Sequence, residues 1–316
     1  MDVAICEVSP RDGLQNEPEI LAPAVRAELA VRMAATGVAR VEAASFVHPD
    51  RVPQMAGAED VLAAIPTLPG VTQAALVLNQ RGYERLRTTA CEEVHVAFCV
   101  TETFNQRNQG CSVDASLLQA RQIVGAAHAD GRRATVTLAA SFGCPFEGPI
   151  DSGRVLGLAE QLTEADEIVF ADTIGVGVPR QVHRLISRAA HLGVPLGLHL
   201  HNTRNTGYAN AYAGLEAGVA VLDSSVAGIG GCPFAPGATG NIATEDLLYL
   251  LEKEGLYTGI DLDGVIRVAE WLGTILKRPL PGLLHRVGTY PKRDWTWPRQ
   301  NTSNDAGNCI PRPIRL

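Results

Sequence analysis

Two histidines separated by one residue are the clearest chemical feature of this 316-residue sequence. His199 and His201 lie in the apolar run 196–201, whose composition predicts a buried β-strand. Side chains two residues apart on a strand point to the same face, with their Cα atoms roughly 6.6 Å apart. Both imidazoles can therefore bind one metal ion, whereas a single buried histidine is more often a core residue. The pair predicts a metal site at the end of this strand.

Four oxygen-bearing side chains are candidates to complete that metal site. Asp12, Glu42, Asp172 and Asn241 each end or follow a predicted strand, and the carboxyl ends of barrel strands meet at one face. Mixed imidazole, carboxylate and amide ligands fit an octahedral ion such as Mg²⁺ or Mn²⁺. Imidazole ligands alone would favour a transition metal, and the sequence has no Cys-x-x-Cys pair for a structural zinc.

Arg11 and Cys232 add two groups that could take part in a reaction. Arg11 precedes Asp12, and it is interpreted either as a salt-bridge partner or as a fixed positive charge for an oxyanion. Cys232 lies between Gly231 and Pro233, in a loop whose glycines allow movement. A thiol there could act as a general acid or base if its pKa falls toward neutrality. The alternative, a loop cysteine without a role, is the more frequent case for a lone cysteine.

Eight apolar segments, each followed by a segment with helical spacing, must position these residues. The strands are predicted at 3–8, 41–44, 72–78, 93–98, 134–140, 167–170, 196–201 and 219–223. The helices are predicted at 22–36, 54–65, 82–88, 112–129, 152–164, 179–191, 205–217 and 244–253. Strands that are apolar throughout favour a parallel sheet buried on both faces. Eight βα units in about 250 residues predict a (β/α)₈ TIM barrel. No G-x-G-x-x-G follows the first strand, which disfavours an open dinucleotide-binding sheet.

The remaining segments flank this barrel. Residues 9–17 and residues 101–110 form polar stretches after the first and fourth strands and are predicted to be loops. A further helix is predicted at 262–276, so residues 1–278 are expected to form one barrel domain with an appended helix. Residues 279–316 are rich in Pro, Arg, Trp and Asn. Their lack of periodicity predicts an irregular C-terminal tail that serves as a lid or a subunit contact, or is partly disordered.

The composition disfavours several other classes of protein. A net charge of −7 argues against nucleic acid as the main partner. No stretch approaches the ~18 apolar residues of a membrane span, and no basic segment followed by an apolar one marks a signal peptide. The seven cysteines are odd in number and scattered. This usage favours reduced thiols in a cytoplasmic protein over a disulfide scaffold.

Several motifs resemble those of a known enzyme family in their order and spacing. They are Ser9-Pro10-Arg11-Asp12-Gly13-Leu14-Gln15-Asn16-Glu17, Ser45-Phe46-Val47 with Val52-Pro53-Gln54-Met55, Gly143-Cys144-Pro145, Asp172-Thr173-Ile174-Gly175-Val176-Gly177, and Asp223 to Cys232-Pro233 with Thr239 to Asp246. Together these motifs, which extend over roughly residues 3–275, resemble the 3-hydroxy-3-methylglutaryl-CoA lyases, metal-dependent TIM-barrel lyases related to Claisen-type condensing enzymes. The resemblance implies cleavage of that acyl-CoA to acetyl-CoA and acetoacetate, dependence on Mg²⁺ or Mn²⁺, and a homodimer or homotetramer.

The resemblance also implies a role for each matching residue. Those that would bind the divalent ion are Asp12, His199, His201 and Asn241. Those that would take part in catalysis are Arg11, which would neutralise the thioester enolate, Glu42, which would orient the ligands or relay a proton, His199, and Cys232, which would shuttle a proton. Those expected to bind the substrate are Gln15, Asn16, Ser45, Thr173 and Gly231. Those expected to hold the metal ligands in place without binding the ion themselves are Asp172 and Asn202.

The chain departs from the family pattern at three places. Asn202 stands where an Asp usually follows the second histidine, Pro18 stands where many relatives have Lys, and residues 106–108 are less basic than in relatives. These changes leave the substrate open between 3-hydroxy-3-methylglutaryl-CoA and a related 3-hydroxyacyl-CoA. An aldolase or condensing enzyme acting on a 2-oxo acid is a further alternative. A non-enzymatic metal or CoA binder is disfavoured, because it would not need Arg11 and Cys232 together.

Overall fold

Eight parallel strands close into a single barrel in the computed structural model, which describes residues 3–231 and 239–290. Each strand pairs with the next in sequence, and the first pairs with the last, so the predicted (β/α)₈ topology is confirmed. The strands are β1 (Ala4–Glu7), β2 (Arg40–Ser45), β3 (Thr72–Val77), β4 (Glu93–Cys99), β5 (Arg133–Ala139), β6 (Glu167–Asp172), β7 (Leu196–Leu200) and β8 (Val221–Ser224).

Helices alternate with the strands as predicted, and further helices follow the barrel. They are α1 (Pro23–Ala34), α2 (Ala58–Ala64), α3 (Gln80–Leu86), α4 (Glu102–Gln109), α5 (Val113–Ala129), α6 (Ser152–Ala159), α7 (Pro179–Ala189), α8 (Gly207–Glu216), α9 (Thr244–Lys253), α10 (Leu262–Leu276) and α11 (Leu284–Val287). Local sequence signals determine the residue at which several of these helices begin. Ser112 Oγ accepts a hydrogen bond from Ala115 N at the start of α5, as its sequence predicts, and Pro179 opens α7.

The strands that carry the two histidines and their neighbours are buried on both faces. Every residue of β6 and of β7 is buried, which is the expected property of a parallel sheet covered by helices. One face of each strand packs against helices, while the other fills the barrel interior. The ends of these strands are therefore rigid positions from which side chains can be aimed.

Two segments predicted to be irregular are helical in the structure. Residues 102–109 form α4 rather than a loop. Asn105 holds this polar helix, because its Oδ1 accepts from Cys99 N at 3.0 Å and its Nδ2 donates to Ser116 Oγ at 2.8 Å. Buried hydrogen bonds thus replace the apolar face that helix prediction relies on. Residues Ser9–Gly13, interpreted as a polar loop after the first strand, form a short π-helical turn.

The appended helix α10 is confirmed, and the segment after it is partly regular. Within the predicted tail, α11 is held by Asp246, whose carboxylate accepts hydrogen bonds from Leu283 N and Leu284 N. Residues 291–316 lie outside the described residues, so the expected lid or subunit contact remains a prediction. In the described part of the chain, no helix is long and apolar enough to cross a membrane.

Candidate active site

A cavity of about 1110 Å³ opens where the carboxyl ends of the strands meet. Its wall includes Arg11 and Asp12 after β1, Glu42 from β2, and His199 and His201 at the end of β7. The structure therefore brings together residues that are far apart in sequence, at the face where barrel enzymes carry their chemistry.

The carboxylate of Asp12 and the rings of His199 and His201 form one buried cluster. The two Nε2 atoms lie 3.2 Å apart, and Asp12 Oδ2 lies 3.8 Å from Nε2 of His199 and 3.7 Å from Nε2 of His201. All three ligand atoms lie within 4.8 Å of one another. This arrangement of two imidazole nitrogens and a carboxylate oxygen is a possible site for a divalent cation.

Asn241 adds an amide to this cluster. Its backbone pairs with His201 in an isolated β-bridge, and its Nδ2 donates to Asp12 Oδ2 at 2.8 Å and to Ile229 O at 3.1 Å. Its Oδ1 is buried and accepts no hydrogen bond from the residues that the structure describes. An unpaired buried oxygen is costly unless something binds it. The donor set of two imidazoles, a carboxylate and a free amide oxygen thus fits a Mg²⁺- or Mn²⁺-type ion.

Asp223 orients one of the histidines and was missed as a site residue by the sequence analysis. Its Oδ2 lies 3.1 Å from His199 Nδ1, which leaves Nε2 of that ring facing the cluster. Burial lowers the pKa of His199, but the hydrogen bond to Asp223 and the charge of Asp12 outweigh it and raise the pKa. A carboxylate behind a histidine ligand is a usual device for fixing the ring and raising its basicity. The sequence contained a signal for this role, since Asp223 is an acidic residue at the end of the predicted eighth strand. In the structure it pairs in register with His199 on the neighbouring strand.

Arg11 joins this cluster to a second carboxylate. Its Nε donates to Glu42 Oε2 at 2.5 Å, and its Nη1 donates to Asp12 Oδ1 at 2.6 Å. Burial lowers the pKa of Arg11, but the two carboxylates outweigh it and raise the pKa further. Burial likewise raises the pKa of Asp12, but Arg11 and the imidazoles hold it well below its usual range. The guanidinium of Arg11 is therefore a permanent cation beside the cluster. Its hydrogen bonds to described residues use Nε and Nη1, which leaves Nη2 for a substrate oxygen.

Glu42, Asp172 and Asn202 lie beside the cluster rather than in it. Glu42 binds Arg11 and His95. The Asp172 carboxylate accepts from Val176 N at 2.9 Å and Gly177 N at 2.8 Å. Asn202 Oδ1 accepts from Gly207 N at 3.0 Å, at the start of α8. Asp172 and Asn202 thus hold the loops after β6 and β7.

Most of the expected substrate contacts line the cavity. Gln15, Asn16, Thr173 and Gly231 are in its wall, and Asn16 Nδ2 donates to Gly231 O at 2.8 Å. Ser45, in contrast, is buried outside the wall, and its Oγ accepts from Val47 N. Cys232, the expected proton shuttle, lies outside the described residues.

A second set of charged residues lies below Glu42 in the barrel interior and was not predicted from the sequence. It comprises Arg40, Glu93, His95 and Glu167. Three of them are the first residues of strands β2, β4 and β6. The available sequence signal was a charged residue at the start of each of three largely apolar strands.

A closed (β/α)₈ barrel with an imidazole–carboxylate cluster and a partly buried arginine at its carboxyl face has the architecture of a TIM-barrel enzyme. A model of the HMGL-like family matches residues 2–272. The chain belongs to this family, which confirms both the expected resemblance and the expected class of carbon–carbon lyase.

Individual relatives are similar over most of the chain. The chain is 43% identical over 305 residues to the (R)-citramalyl-CoA lyase of Chloroflexus aurantiacus, covering 92% of this chain and 96% of that protein. It is 42% identical over 281 residues to the hydroxymethylglutaryl-CoA lyase of Pseudomonas mevalonii, covering 86% and 93%. Among solved structures, an HMG-CoA lyase from Acinetobacter baumannii in complex with coenzyme A and 3-methylmalate superposes with a TM-score of 0.88 at 35% identity, covering 92% and 96%.

Proposed function

We propose that the protein cleaves a 3-hydroxy-3-methylacyl-CoA with a terminal carboxylate to acetyl-CoA and an oxo acid. The 3-hydroxyl loses its proton, the bond between C2 and C3 breaks, and its electron pair moves into the thioester enolate. C2 of the enolate then takes up a proton. The observation that carries this proposal is the position of Arg11, which contacts both Asp12 of the cluster and Glu42 in one cavity.

The residues of the cavity divide these tasks. Asp12, His199, His201 and Asn241 are assigned to a divalent ion, Mg²⁺ or Mn²⁺, which when bound lowers the pKa of a ligated hydroxyl group. Arg11 stabilises the developing enolate oxygen, because a fixed cation in a buried site needs no reorganisation during the reaction. We assign proton movement to His199 and to Cys232, which follows Gly231 of the cavity wall in the sequence.

Two substrates fit this chemistry, and they differ by one methylene between the carboxylate and the carbinol carbon. 3-Hydroxy-3-methylglutaryl-CoA would give acetoacetate, and citramalyl-CoA would give pyruvate. The family resemblance supports the first. The similarity to the Chloroflexus citramalyl-CoA lyase supports the second, at 43% identity over 92% of this chain, compared with 42% identity over 86% for the Pseudomonas mevalonii enzyme. The coenzyme A and 3-methylmalate, an isomer of citramalate, in the Acinetobacter structure are also compatible with the second.

Acetyl-CoA release from metal-stripped protein tests the proposal. Each substrate is offered alone and with added Mg²⁺ or Mn²⁺, and the oxo acid is identified as acetoacetate or pyruvate. We expect release to require metal and to be abolished in His201→Asn, which loses a cluster nitrogen. The matched control is His128→Asn, because His128 is an exposed histidine on α5 that pairs with Asp166.

The two products separate the candidate substrates. Faster formation of acetoacetate identifies 3-hydroxy-3-methylglutaryl-CoA as the preferred substrate, and faster formation of pyruvate identifies citramalyl-CoA. Absence of acetyl-CoA from both substrates in the presence of bound metal would refute the proposed function.

A further inference from the structure

Side chains of alternating charge run down the barrel interior from the cavity to the opposite end. From Arg11 the order is Glu42, His95, Glu93, Arg40 and Glu167. His95 Nδ1 lies 3.0 Å from Glu42 Oε1, and its Nε2 lies 3.1 Å from Glu93 Oε1. Arg40 Nη1 then lies 3.0 Å from Glu93 Oε1 and 2.9 Å from Glu167 Oε2.

We propose that His95 is a positioning residue for the reaction, which acts as a doubly protonated ring that holds Glu42 and, through Glu42, fixes the guanidinium of Arg11 at the cavity. This inference rests on the proposed function, since Arg11 is the group that would meet the enolate. It adds a residue that belongs to none of the family motifs and whose ring nitrogens face Glu42 and Glu93 rather than the cluster.

The geometry around His95 requires two donors. Both ring nitrogens face carboxylate oxygens, and a neutral imidazole can donate from one nitrogen only. Glu42 and Glu93 are 1% and 0% exposed, so a ring nitrogen that carried a lone pair would face a buried carboxylate oxygen without a hydrogen bond, which is costly. Burial lowers the pKa of His95, but the two carboxylates outweigh it and raise the pKa to about 10. The ring is therefore a cation at neutral pH.

The link from His95 to Arg11 passes through one carboxylate. Glu42 uses Oε1 for His95 and Oε2 for Arg11, so both oxygens are held and the carboxylate plane cannot rotate freely. Burial raises the pKa of Glu42, but Arg11 and His95 outweigh it and lower the pKa. Removing the hydrogen bond from His95 would let the carboxylate of Glu42 rotate, and the guanidinium of Arg11 would then be held less firmly. Catalytic groups lose rate steeply when such support is lost.

A purely structural role for His95 would make a different prediction. A charged core residue that only stabilises the barrel would change the free energy of unfolding and leave the turnover of the folded enzyme unaltered. A positioning role lowers kcat while substrate binding is kept, because Arg11 acts mainly as charge develops. His95 also lies in the floor of the cavity, close to the chemistry rather than at the far end of the barrel.

The test compares His95→Gln, which removes the charge, with His95→Lys, which keeps a cation able to donate to both carboxylates. We expect His95→Gln to lower kcat by about 10- to 100-fold with KM within about threefold. His95→Lys should recover most of kcat. The control is His128→Gln, which removes an exposed histidine of α5 and should keep wild-type kcat and KM.

A second readout does not depend on turnover. The Nε–H of Arg11, held by Glu42, should give a slowly exchanging NMR signal in the wild type and in His95→Lys, and a fast-exchanging or absent one in His95→Gln. If the wild type cleaves neither substrate, the proposed function fails while this readout still decides the positioning of Arg11.

Three outcomes would overturn the inference. They are a folded His95→Gln with kcat within about threefold of wild type, a folded His95→Lys no more active than His95→Gln, and an unchanged Arg11 signal in His95→Gln. If His95→Gln does not fold, Glu93→Gln replaces it, because that change weakens the hydrogen bond at the other ring nitrogen. A kcat lowered about tenfold then supports the inference, and an unchanged kcat refutes it.

Discussion

At the scale of single residues, Arg11 connects the cation-binding cluster of the cavity with the proposed position of the substrate oxygen. It neutralises Asp12 and Glu42 by direct hydrogen bonds, and its remaining nitrogen is available to a substrate oxygen. A guanidinium can serve three anions in this way because its donors form a planar fork, which an ammonium group lacks. Arg11→Lys is therefore not a conservative change here.

Arg11→Gln should reduce kcat by about 10²- to 10³-fold, the loss usual when a donor to a developing oxyanion is removed. We expect bound metal to be retained, because the cluster of Asp12, His199 and His201 keeps its ligand atoms. Acetyl-CoA release and metal content, measured on the same preparation, check both expectations. The control is Arg267→Gln, which removes an exposed ion pair with Asp261. Wild-type turnover in Arg11→Gln would refute the assigned role.

Asp223→Asn should weaken metal binding by about 10- to 100-fold, since a carboxylate behind a histidine ligand fixes its ring and raises its basicity. The amide keeps the shape of the side chain but loses the charge that faces His199 Nδ1. Titration with Mn²⁺ followed by electron paramagnetic resonance measures the change. Asp261→Asn, on the surface, should bind Mn²⁺ as the wild type does, and equal affinities for all three proteins would contradict the role of Asp223.

The sequence predicted the residues of the cluster better than it predicted the buried side chains that hold the residues of the cavity in place. His199, His201 and Asp12 could be recognised because local spacing and position after a strand bring them to one face. His95 and Glu93 could not, because their partners Glu42 and Arg40 come from another strand, β2, and the pairing depends on how the closed barrel staggers its strands. Barrel interiors are usually filled by branched apolar side chains, which made a buried ionic array an unexpected arrangement.

At the scale of elements, buried carboxylates tie the loops of the active face together. Glu7, at the end of β1, accepts from Ser9 N at 3.0 Å, Val226 N at 2.9 Å and Thr244 Oγ1 at 2.7 Å. It thus joins the turn that carries Arg11 to the segments after β8. Burial raises the pKa of Glu7 to about 7 against the effect of these donors. These hydrogen bonds act together with apolar packing, since Val226 also belongs to the hydrophobic core.

Element-scale prediction from sequence failed where such hydrogen bonds replace an apolar stripe. In α4 the side chain of Asn105 is fully buried and binds both strand β4 and helix α5. Periodicity of apolar residues, the main signal for a helix, is weak there. The strands and the amphipathic helices, by contrast, were found because burial dictates their composition.

Gly240→Ala should damage the metal site through the backbone. A Cβ at this position would lie only 2.6 Å from Ile229 C and 2.8 Å from Gly230 N, and backbone atoms cannot move aside cheaply. The displaced chain carries Asn241 with it. We expect lower Mn²⁺ affinity and a lower melting temperature, measured by titration and by thermal unfolding.

The matched control for that variant is Gly125→Ala within α5, where a Cβ would meet nothing within 4 Å. Alanine in a helix interior is favoured over glycine by roughly 0.5–1 kcal/mol, so this change should leave metal binding intact and slightly raise the melting temperature. If both variants behave alike, the close approach at Gly240 has no role in the site.

At the scale of the whole molecule, a chain of hydrogen-bonded charges connects the two ends of the barrel interior. The array that begins at Arg11 ends at Glu167, at the start of β6, where Arg40 donates from both Nη1 and Nη2 to its carboxylate. Buried ion pairs add little net stability compared with apolar packing, yet breaking one is strongly destabilising. The array therefore makes the stability of the barrel depend on the protonation of its members. His95, whose pKa is raised to about 10, is the member that we expect to lose its charge as the pH rises.

The stability of the barrel should fall at high pH through His95. Its pKa is raised from the usual 6.5 to about 10 in the folded protein. A raised pKa of this kind contributes stability that is complete below about pH 6.5 and is lost as the pH rises through about 10. The difference in free energy of unfolding between wild type and His95→Gln should therefore shrink steadily from about pH 6 to about pH 10. Denaturant unfolding at several pH values measures it, with His128→Gln as the control. A difference that is constant over this range would mean that the ring between Glu42 and Glu93 does not carry the charge.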